Sequence, residues 1–192
     1  MRILRKEYEV IICLKLIPEI FFLVEPNETY AEQIREYRQE LLNTGSSMDG
    51  CGSLRKCEDP TAFISECRKF TALETLPDGL VMATQFIYVR KTDDCVVGMI
   101  QVRHYLNDYL SKFSGHIGYS VKPSERRKGY ATSMLKAVLP YFKEIGLNKI
   151  LIACKEGNTG SEKTILNNGG IYESTVIESG KNCKFKRFWI TL

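Results

Sequence analysis

The segment from residue 117 to residue 142 constrains the fold most, because its hydrophobic period changes within a few positions. Apolar side chains alternate along residues 117–121, which is typical of a strand, and Pro123 ends the pattern. A basic turn follows at residues 126–129, and apolar side chains then recur at helical spacing, at Met134, Leu135, Val138 and Phe142. The segment therefore predicts a strand, a basic loop containing a glycine, and a helix in direct succession.

A junction of this kind suits an anion. The first N–H groups of a helix have no intrahelical partner and lie at the positive end of the helix dipole. Gly129 lets the backbone approach an anion closely, and the three cations before it add attraction. The alternative is an ordinary strand-to-helix turn with solvated charges, and the residue types alone leave both interpretations open.

The spacing Arg126-x-x-Gly129-x-Ala131 resembles the acyl-CoA loop of the Gcn5-related N-acetyltransferase (GNAT) family. In that family the motif is Gln/Arg-x-x-Gly-x-Gly/Ala, and its backbone amides hold the CoA pyrophosphate. The spacing fits neither a Walker loop nor a dinucleotide Gly-x-Gly-x-x-Gly fingerprint. The resemblance extends from about Val81 to the C-terminus and back to about Phe21.

The resemblance implies an α/β (α+β) fold. We expect a mixed, mostly antiparallel central sheet of about six to seven strands, flanked by helices and splayed between the fourth and fifth family strands. A chain of 192 residues is long enough for one domain with a sizeable core. We therefore predict a GNAT domain over residues 20–192, with residues 1–19 as an N-terminal extension on its edge.

Local patterns predict the individual elements. Strands are expected in seven stretches, at residues 20–24, 82–90, 96–105, 115–121, 149–155, 171–177 and 184–190. A capping-box spacing from Thr29 to Glu32 predicts the start of a first helix, and Asp59 followed by proline predicts a second. Residues 107–114 are expected to form a loop. Pro140 predicts a kink or an early break in the helix after Gly129.

Composition excludes several function classes. The formal net charge of +4 is mild and fits an anionic cofactor, with no basic run long enough to indicate nucleic acid. The 7 cysteines are scattered, and with only 2 histidines the chain predicts no metal site. Free thiols indicate a reducing compartment, and the apolar runs are too short for a membrane span. We therefore predict a cytoplasmic protein.

The resemblance assigns the cofactor contacts. The pantetheine arm of acetyl-CoA, the expected acyl donor, would pair with the backbone of Tyr119, Ser120 and Val121. Asn158 and Ser161 would approach it from the other side of the splay, although Asn158 also suits a helix N-cap. The pyrophosphate would rest on the loop and the first helical turn, at Arg126, Arg127, Lys128, Gly129, Tyr130, Ala131 and Thr132.

The catalytic residues are less well defined. An ammonium acceptor has a pKa of about 10.4 and must lose a proton before it attacks. His116 occupies the position where many relatives carry a glutamate base, and the alternatives are a histidine hydrogen-bonded in the sheet or a substrate contact. The position of the usual acidic tyrosine holds Ile165, which leaves Tyr119, Tyr172 or water. Cys154 is expected to be an inert packing residue.

Taken with the resemblance, these residues predict an acetyl-CoA-dependent N-acetyltransferase. The acetyl group would pass to a primary amine of a small molecule or peptide by direct attack in a ternary complex. Asp49 and Glu58 are candidates to receive a cationic acceptor, or are ordinary turn and cap residues. The alternative function is a CoA-binding sensor or interaction module that has lost catalysis. A homodimer is possible, and neither nucleic acid nor membrane is expected as a partner.

Overall fold

The computed structural model describes residues 2–6, 9–13, 20–180 and 183–192. Parts of the predicted N-terminal extension, and of the predicted final turn at residues 179–182, therefore lie outside the described residues. Everything else that the sequence predicts can be compared with the structure directly.

Nine described strands form two antiparallel sheets. A six-stranded sheet has the order β1-β2-β3-β4-β5-β6, and a three-stranded sheet has the order β7-β9-β8. The bounds of the strands are β1 Arg2–Lys6, β2 Glu9–Cys13, β3 Phe21–Val24, β4 Ala83–Arg90, β5 Cys95–Arg103, β6 Ile117–Val121, β7 Lys149–Lys155, β8 Ile171–Glu178 and β9 Cys183–Thr191.

Five α-helices cover the larger sheet and its junction with the smaller one. Their bounds are α1 Ala31–Asn43, α2 Pro60–Lys69, α3 Asp108–Phe113, α4 Tyr130–Glu144 and α5 Thr159–Leu166. One core packs α4 against the sheet and continues to β7 and β9, with Phe86, Val138, Phe142, Ile152 and Phe188 among its buried members. The other packs α1 and α2 against the opposite face, with Ile34, Tyr37, Leu41, Phe63 and Ile87.

The strand prediction is confirmed, because β3 to β9 lie at the seven predicted stretches. The N-terminal segment adds β1 and β2 as a hairpin, and β2 extends the sheet by pairing Ile12 with Leu23. The predicted splay falls between β6 and β7, which share one isolated bridge, from Gly115 to Ile152. A mixed sheet would need a parallel ladder at this point. Every ladder between the described strands is antiparallel instead, because the splay leaves these two strands apart.

Two local predictions were wrong, and the early break predicted at Pro140 as one of two alternatives does not occur. Thr29 does not cap a helix, since Asn27 accepts the Thr29 N–H at 3.1 Å and caps a 3₁₀ turn that leads into α1. The segment predicted as a loop contains α3, which begins where Asn107 accepts the Leu110 N–H at 3.0 Å. The helix with Pro140 does not break, because α4 buries apolar side chains on both sides of the proline, at Met134, Leu135, Ala137, Val138 and Phe142. That burial offsets the missing backbone hydrogen bond.

Candidate active site

The splay leaves a gap between β6 and β7, and the backbone of β6 faces this gap at alternate residues. The N–H of Lys122 donates to the carbonyl of Val97 at 2.9 Å, which fixes which residues of β6 are bonded to β5. Residues bonded to a neighbouring antiparallel strand alternate with residues whose N–H and C=O groups point the other way. The backbone groups of Tyr119 and Val121 therefore face β7 across the gap, where an added strand-like ligand can pair with them.

The facing strand shows the same alternation. The N–H of Glu156 donates to the carbonyl of Lys184 at 2.8 Å. The even-numbered residues of β7 are therefore the ones whose backbone groups are hydrogen-bonded to β9. By the same rule the backbone of Ala153 points into the gap. The gap is thus bordered on both sides by peptide groups that neither sheet uses.

One end of the gap is closed. The N–H of His116 donates to the carbonyl of Leu151 at 2.7 Å, and the N–H of Leu151 donates to His116 Nδ1 at 3.0 Å. Beside this pair Gly115 has a φ of +72°, and a Cβ atom there would lie 2.3 Å from the Leu151 carbonyl oxygen. The two strands therefore touch through backbone at residues 115–116 and separate beyond them.

His116 has the sheet-bonded role that the sequence left as an alternative. Its Nδ1 accepts a hydrogen bond, which places the proton of the neutral ring on Nε2. Burial, with repulsion from Arg103, lowers the pKa of His116 to about 4. Such a histidine is too weak a base to take a proton from an ammonium group efficiently. Its contacts make it a residue that positions β6 against β7.

Tyr119 crosses the open end of the gap. Its hydroxyl lies 2.8 Å from Ser161 Oγ and donates to the Ser161 carbonyl at 3.3 Å, which links β6 to α5. Burial raises the pKa of Tyr119 to about 12, so the phenol stays protonated at neutral pH. Tyr172, the other predicted substitute, bonds to Thr175 on exposed β8 instead. Ile165 is fully buried in the core.

Ser120 does not face the gap. Its backbone belongs to the set of residues bonded to β5, opposite Met99. Its hydroxyl lies 3.0 Å from Tyr37 Oη and 3.0 Å from Cys51 Sγ on the face covered by α1. Of the three strand residues predicted to pair with pantetheine, only Tyr119 and Val121 are therefore turned toward it.

The loop before α4 presents a run of unpaired amides. Arg127 and Gly129 have φ values of +65° and +82°, and Gly129 is the N-cap of the helix. No atom of the described residues accepts a hydrogen bond from the N–H groups of residues 127–132. A Cβ atom at Gly129 would meet nothing within 4 Å, so the space beside this backbone is open. Unpaired amides at a helix N-terminus beside open space form an anion site.

The side chain of Arg126 is fixed by the protein itself. Its Nε donates to the Val121 carbonyl at 3.2 Å, and its Nη2 donates to Ser46 Oγ at 2.9 Å. Arg126 therefore connects the end of β6 to the segment after α1. Because its guanidinium is already bonded within the protein, Arg126 would act on the cofactor through the shape that it gives the loop and through its long-range charge.

The other cations of the loop differ in whether a protein group already pairs with their side chains. Lys128 forms an ion pair with Glu125 at 2.8 Å, and Glu125 also accepts from Arg90 at 2.8 Å. Arg90, then Lys128, hold the pKa of the Glu125 carboxyl below its usual range. Tyr130 packs its ring against Phe21 at 4.9 Å, and its hydroxyl accepts from Arg90 at 3.1 Å. Among the described contacts the exposed Arg127 side chain has no ion pair or hydrogen bond.

Asn158 has the capping role predicted as one alternative. Its Oδ1 accepts the N–H of Ser161 at 3.1 Å, which begins α5 on the β7 side of the gap. The side chain is exposed, and the described contacts record no partner for its Nδ2. The Ser161 hydroxyl is shared with Tyr119. The two predicted residues therefore lie together at the open end of the gap.

The segment of residues 46–58, here called the α1–α2 loop, covers the other face of β6. A Cβ atom at Gly50 would lie 2.1 Å from the Gly118 carbonyl oxygen, so backbone rests directly on backbone. Asp49 is exposed and accepts from Ser47 at 2.8 Å. Glu58 lies 3.7 Å from Arg38 and remains largely in solvent, where it contributes nothing to the gap. Cys154 is buried, and burial raises its pKa to about 11, which fits an inert thiol.

The described residues can also be compared with what a metal site and a membrane-spanning helix require. No group of histidine, cysteine or acidic side chains among them is arranged to hold a metal ion. None of their helices combines the length and the apolar character needed to cross a bilayer.

A gap between diverging strands, next to an amide-lined anion site at a helix N-terminus, defines a protein that binds an acylated, diphosphate-containing cofactor. Residues 29–171 match the family described as Acetyltransferase (GNAT) domain. The chain therefore belongs to the GNAT acetyltransferase family, in which acetyl-CoA is the typical acyl donor. The predicted family membership is thereby confirmed.

Individual relatives agree with this assignment. An uncharacterized N-acetyltransferase of Bacillus subtilis, YnaD, is 30% identical over 84 residues, which is 43% of this chain and 47% of that protein. The match thus spans about half the length of that relative.

Solved structures share the fold over nearly the whole chain. A putative ribosomal-protein-serine acetyltransferase from Vibrio cholerae has a TM-score of 0.63 at 18% identity, covering 92% of this chain and 97% of that one. The microcin C7 self-immunity acetyltransferase MccE, solved with acetyl-CoA and AMP, has a TM-score of 0.68 at 18% identity, covering 91% and 94%.

Proposed function

We propose that this protein is an acetyl-CoA-dependent N-acetyltransferase that acetylates a primary amine by direct attack within a ternary complex. The observation that carries the proposal is the juxtaposition of two sets of backbone groups that no helix or strand pairs. One is the amide run of residues 127–132. The other is the backbone of Tyr119 and Val121, which faces a gap of the kind that a pantetheine arm fills.

The chain offers a distinct group for each part of the cofactor. The amides of residues 127–132 would hold the pyrophosphate, with Arg127 as the free cation beside them. The Tyr119 carbonyl and the Val121 N–H would pair with the pantetheine amides, because the Val121 carbonyl already accepts from Arg126. When bound, acetyl-CoA supplies the thioester that is attacked, and the Tyr119 N–H would donate to the carbonyl oxygen on which negative charge develops.

The proton transfers point to water. Burial lowers the pKa of His116 to about 4, well below the operating pH at which a general base is most effective, so we do not assign it that role. Tyr119, with a pKa of about 12, is a better hydrogen-bond donor than proton donor toward a departing thiolate. We infer that the amine loses its proton to solvent before attack, and that the rate rises with pH as free amine becomes available.

A second function is favoured by one observation. The usual acidic tyrosine is replaced by the buried Ile165, and no described residue at the gap has a pKa near neutrality to replace it. A CoA-binding sensor or interaction module would have the same cofactor site without turnover.

Two measurements on the full chain separate these functions. Acetyl-CoA should raise the melting temperature, because it binds only the native state. Thiol release from acetyl-CoA should then increase in the presence of primary amines, and more steeply as pH rises from 7 to 9. A thermal shift without amine-dependent thiol release would establish the sensor, whereas no shift would reject the cofactor site altogether.

A further inference from the structure

The sheet face beneath the α1–α2 loop carries polar groups without partners. Gln85, Gln101 and Gly118 are neighbours across three strands, β4, β5 and β6. Gln85 is only 3% exposed, and its Nε2 donates to three backbone carbonyls, at Gly50, Phe86 and Ile100. That arrangement fixes the orientation of the amide. It leaves the Gln85 Oε1 buried with no hydrogen bond, which is costly unless a donor arrives from elsewhere.

Gln101 extends this unsatisfied region toward β6. Its side chain is half-buried, and the described contacts give it no hydrogen bond. A Cβ atom at Gly52 of the covering loop would lie 3.3 Å from Gln101 Nε2 and 3.6 Å from Gln85 Oε1. The Gly52 backbone therefore lies close over both amides, and a side chain there would crowd them.

Arg103 continues the same face one row further. Its Nη1 donates to the Gly115 carbonyl at 2.9 Å, and its Nη2 would lie 3.6 Å from a Cβ atom at Gly118. No described carboxylate forms an ion pair with it. Asp49 is the one acid whose charge acts to raise the pKa of Arg103, which burial lowers. The Asp49 side chain is exposed and accepts a hydrogen bond from Ser47. A mostly buried guanidinium with no counter-ion is expensive, so the position favours an anion from outside the protein.

The place of Arg103 in the fold excludes the cofactor phosphates as that anion. Arg103 pairs with the start of β6 through its bond to His116, whereas the amide run follows the other end of that strand. The five residues of β6 separate the two by about 16 Å. Arg103 instead adjoins Gly118, the residue before Tyr119, where the thioester would lie.

We propose that Arg103 binds a carboxylate carried by the acceptor close to its reactive amine, with Gln101 as a second donor to the same group. The substrate class is thus an amine bearing a carboxylate, such as a free amino acid or a peptide with an acidic residue at its N-terminus. This inference rests on the proposed acetyltransferase function, and it reverses the expectation of a cationic acceptor drawn from Asp49 and Glu58.

The test compares matched acceptors on the acetyl-CoA complex of the full chain. Each common amino acid and each tripeptide that begins with aspartate is paired with the amide in which the carboxylate is neutralised. We expect the carboxylate form to bind at least tenfold more tightly by titration calorimetry, and to release thiol with at least tenfold higher kcat/KM. Equal binding of the two forms, or no binding of any carboxylate, would overturn the inference.

Variants locate the effect. Arg103→Gln should abolish the carboxylate preference, and Arg103→Lys should retain part of it, while neither changes the acetyl-CoA Kd more than twofold. Arg55→Gln is the matched control, because Arg55 lies on the covering loop and bonds only to the Ser46 carbonyl. Equal loss of both acceptor forms in Arg103→Gln would show a structural role and contradict the inference. If the wild type fails to bind acetyl-CoA at all, the proposed function fails first.

Discussion

Gly115 and Gly129 adopt similar left-handed backbone conformations for different reasons. At Gly115, φ is +72° and a side chain would collide with the backbone of β7, 2.3 Å away. At Gly129, φ is +82° and a side chain would meet nothing within 4 Å. The first glycine lets the protein pack against itself, and the second preserves space that the protein does not fill. The comparison shows that the closed end of the gap is packed by the protein itself, whereas the loop before α4 leaves open the space that we propose for the cofactor phosphates.

The largest effect on stability is expected from Gly115→Ala. The left-handed conformation and the collision with Leu151 together should lower the free energy of unfolding by about 3 kcal/mol. Urea denaturation measures this loss. Gly79→Ala is the control, because Gly79 has a φ of +76° with nothing within 4 Å of its Cβ position. A loss no greater than that of the control would show that the two strands part easily at this end.

The next prediction is that His116, at the closed end of the gap, makes the stability of the protein depend on pH. The folded pKa of His116, about 4, lies below the ordinary value of 6.5, so the unfolded chain takes up the proton first as pH falls. Stability should therefore be complete above pH 6.5 and decline by up to about 3 kcal/mol as pH falls to 4. Urea denaturation across this range measures the decline.

His116→Gln is the informative variant for that measurement. Glutamine can still accept the Leu151 N–H but does not titrate, so the decline between pH 6.5 and 4 should flatten. An unchanged pH profile in the variant would mean that other groups cause the decline and that His116 is not held neutral in the sheet.

The smallest effect on stability, with a large effect on binding, is expected at the open site. Gly129→Ala should cost about 1 kcal/mol of stability from the left-handed conformation alone. It should nevertheless raise the acetyl-CoA Kd at least tenfold, because the new methyl group occupies the space beside the unpaired amides.

Gly146→Ala is the matched control for this variant. Gly146 ends the same helix with a φ of +88° and an equally open Cβ position. It should lose similar stability and keep the wild-type affinity, as measured by titration calorimetry. If both variants bind acetyl-CoA equally well, the amide run is not the phosphate site.

The sequence predicted the parts of this molecule that depend on local chemistry. Strand β7 was predicted at its observed bounds because its apolar run is uninterrupted, and Asp59 and Asn158 were recognised as helix caps. The loop motif was recognisable because the spacing of Arg126, Gly129 and Ala131 is itself the signal.

The sequence did not predict the features that depend on weak local signals or on contacts between residues far apart in the chain. Helix α3 is short and polar, and a single asparagine cap was too weak a signal to predict it. The neutral state of His116 depends on an amide 35 positions away. Arg103 was missed because nothing in its neighbours along the chain shows that it has no counter-ion. Which residues of β6 face the gap follows only from the pairing with β5.

The contact between Gly50 and Gly118 has a consequence for how this enzyme can diversify. Neither position can gain a side chain without moving two backbones apart, because each Cβ atom would lie within 2.7 Å of the other segment. On our proposal, acceptor preference would therefore be set beside this contact, at Gln101 and Arg103. The two glycines hold the α1–α2 loop at one place on β6, so that the loop can be altered on either side of the contact without lifting from the sheet.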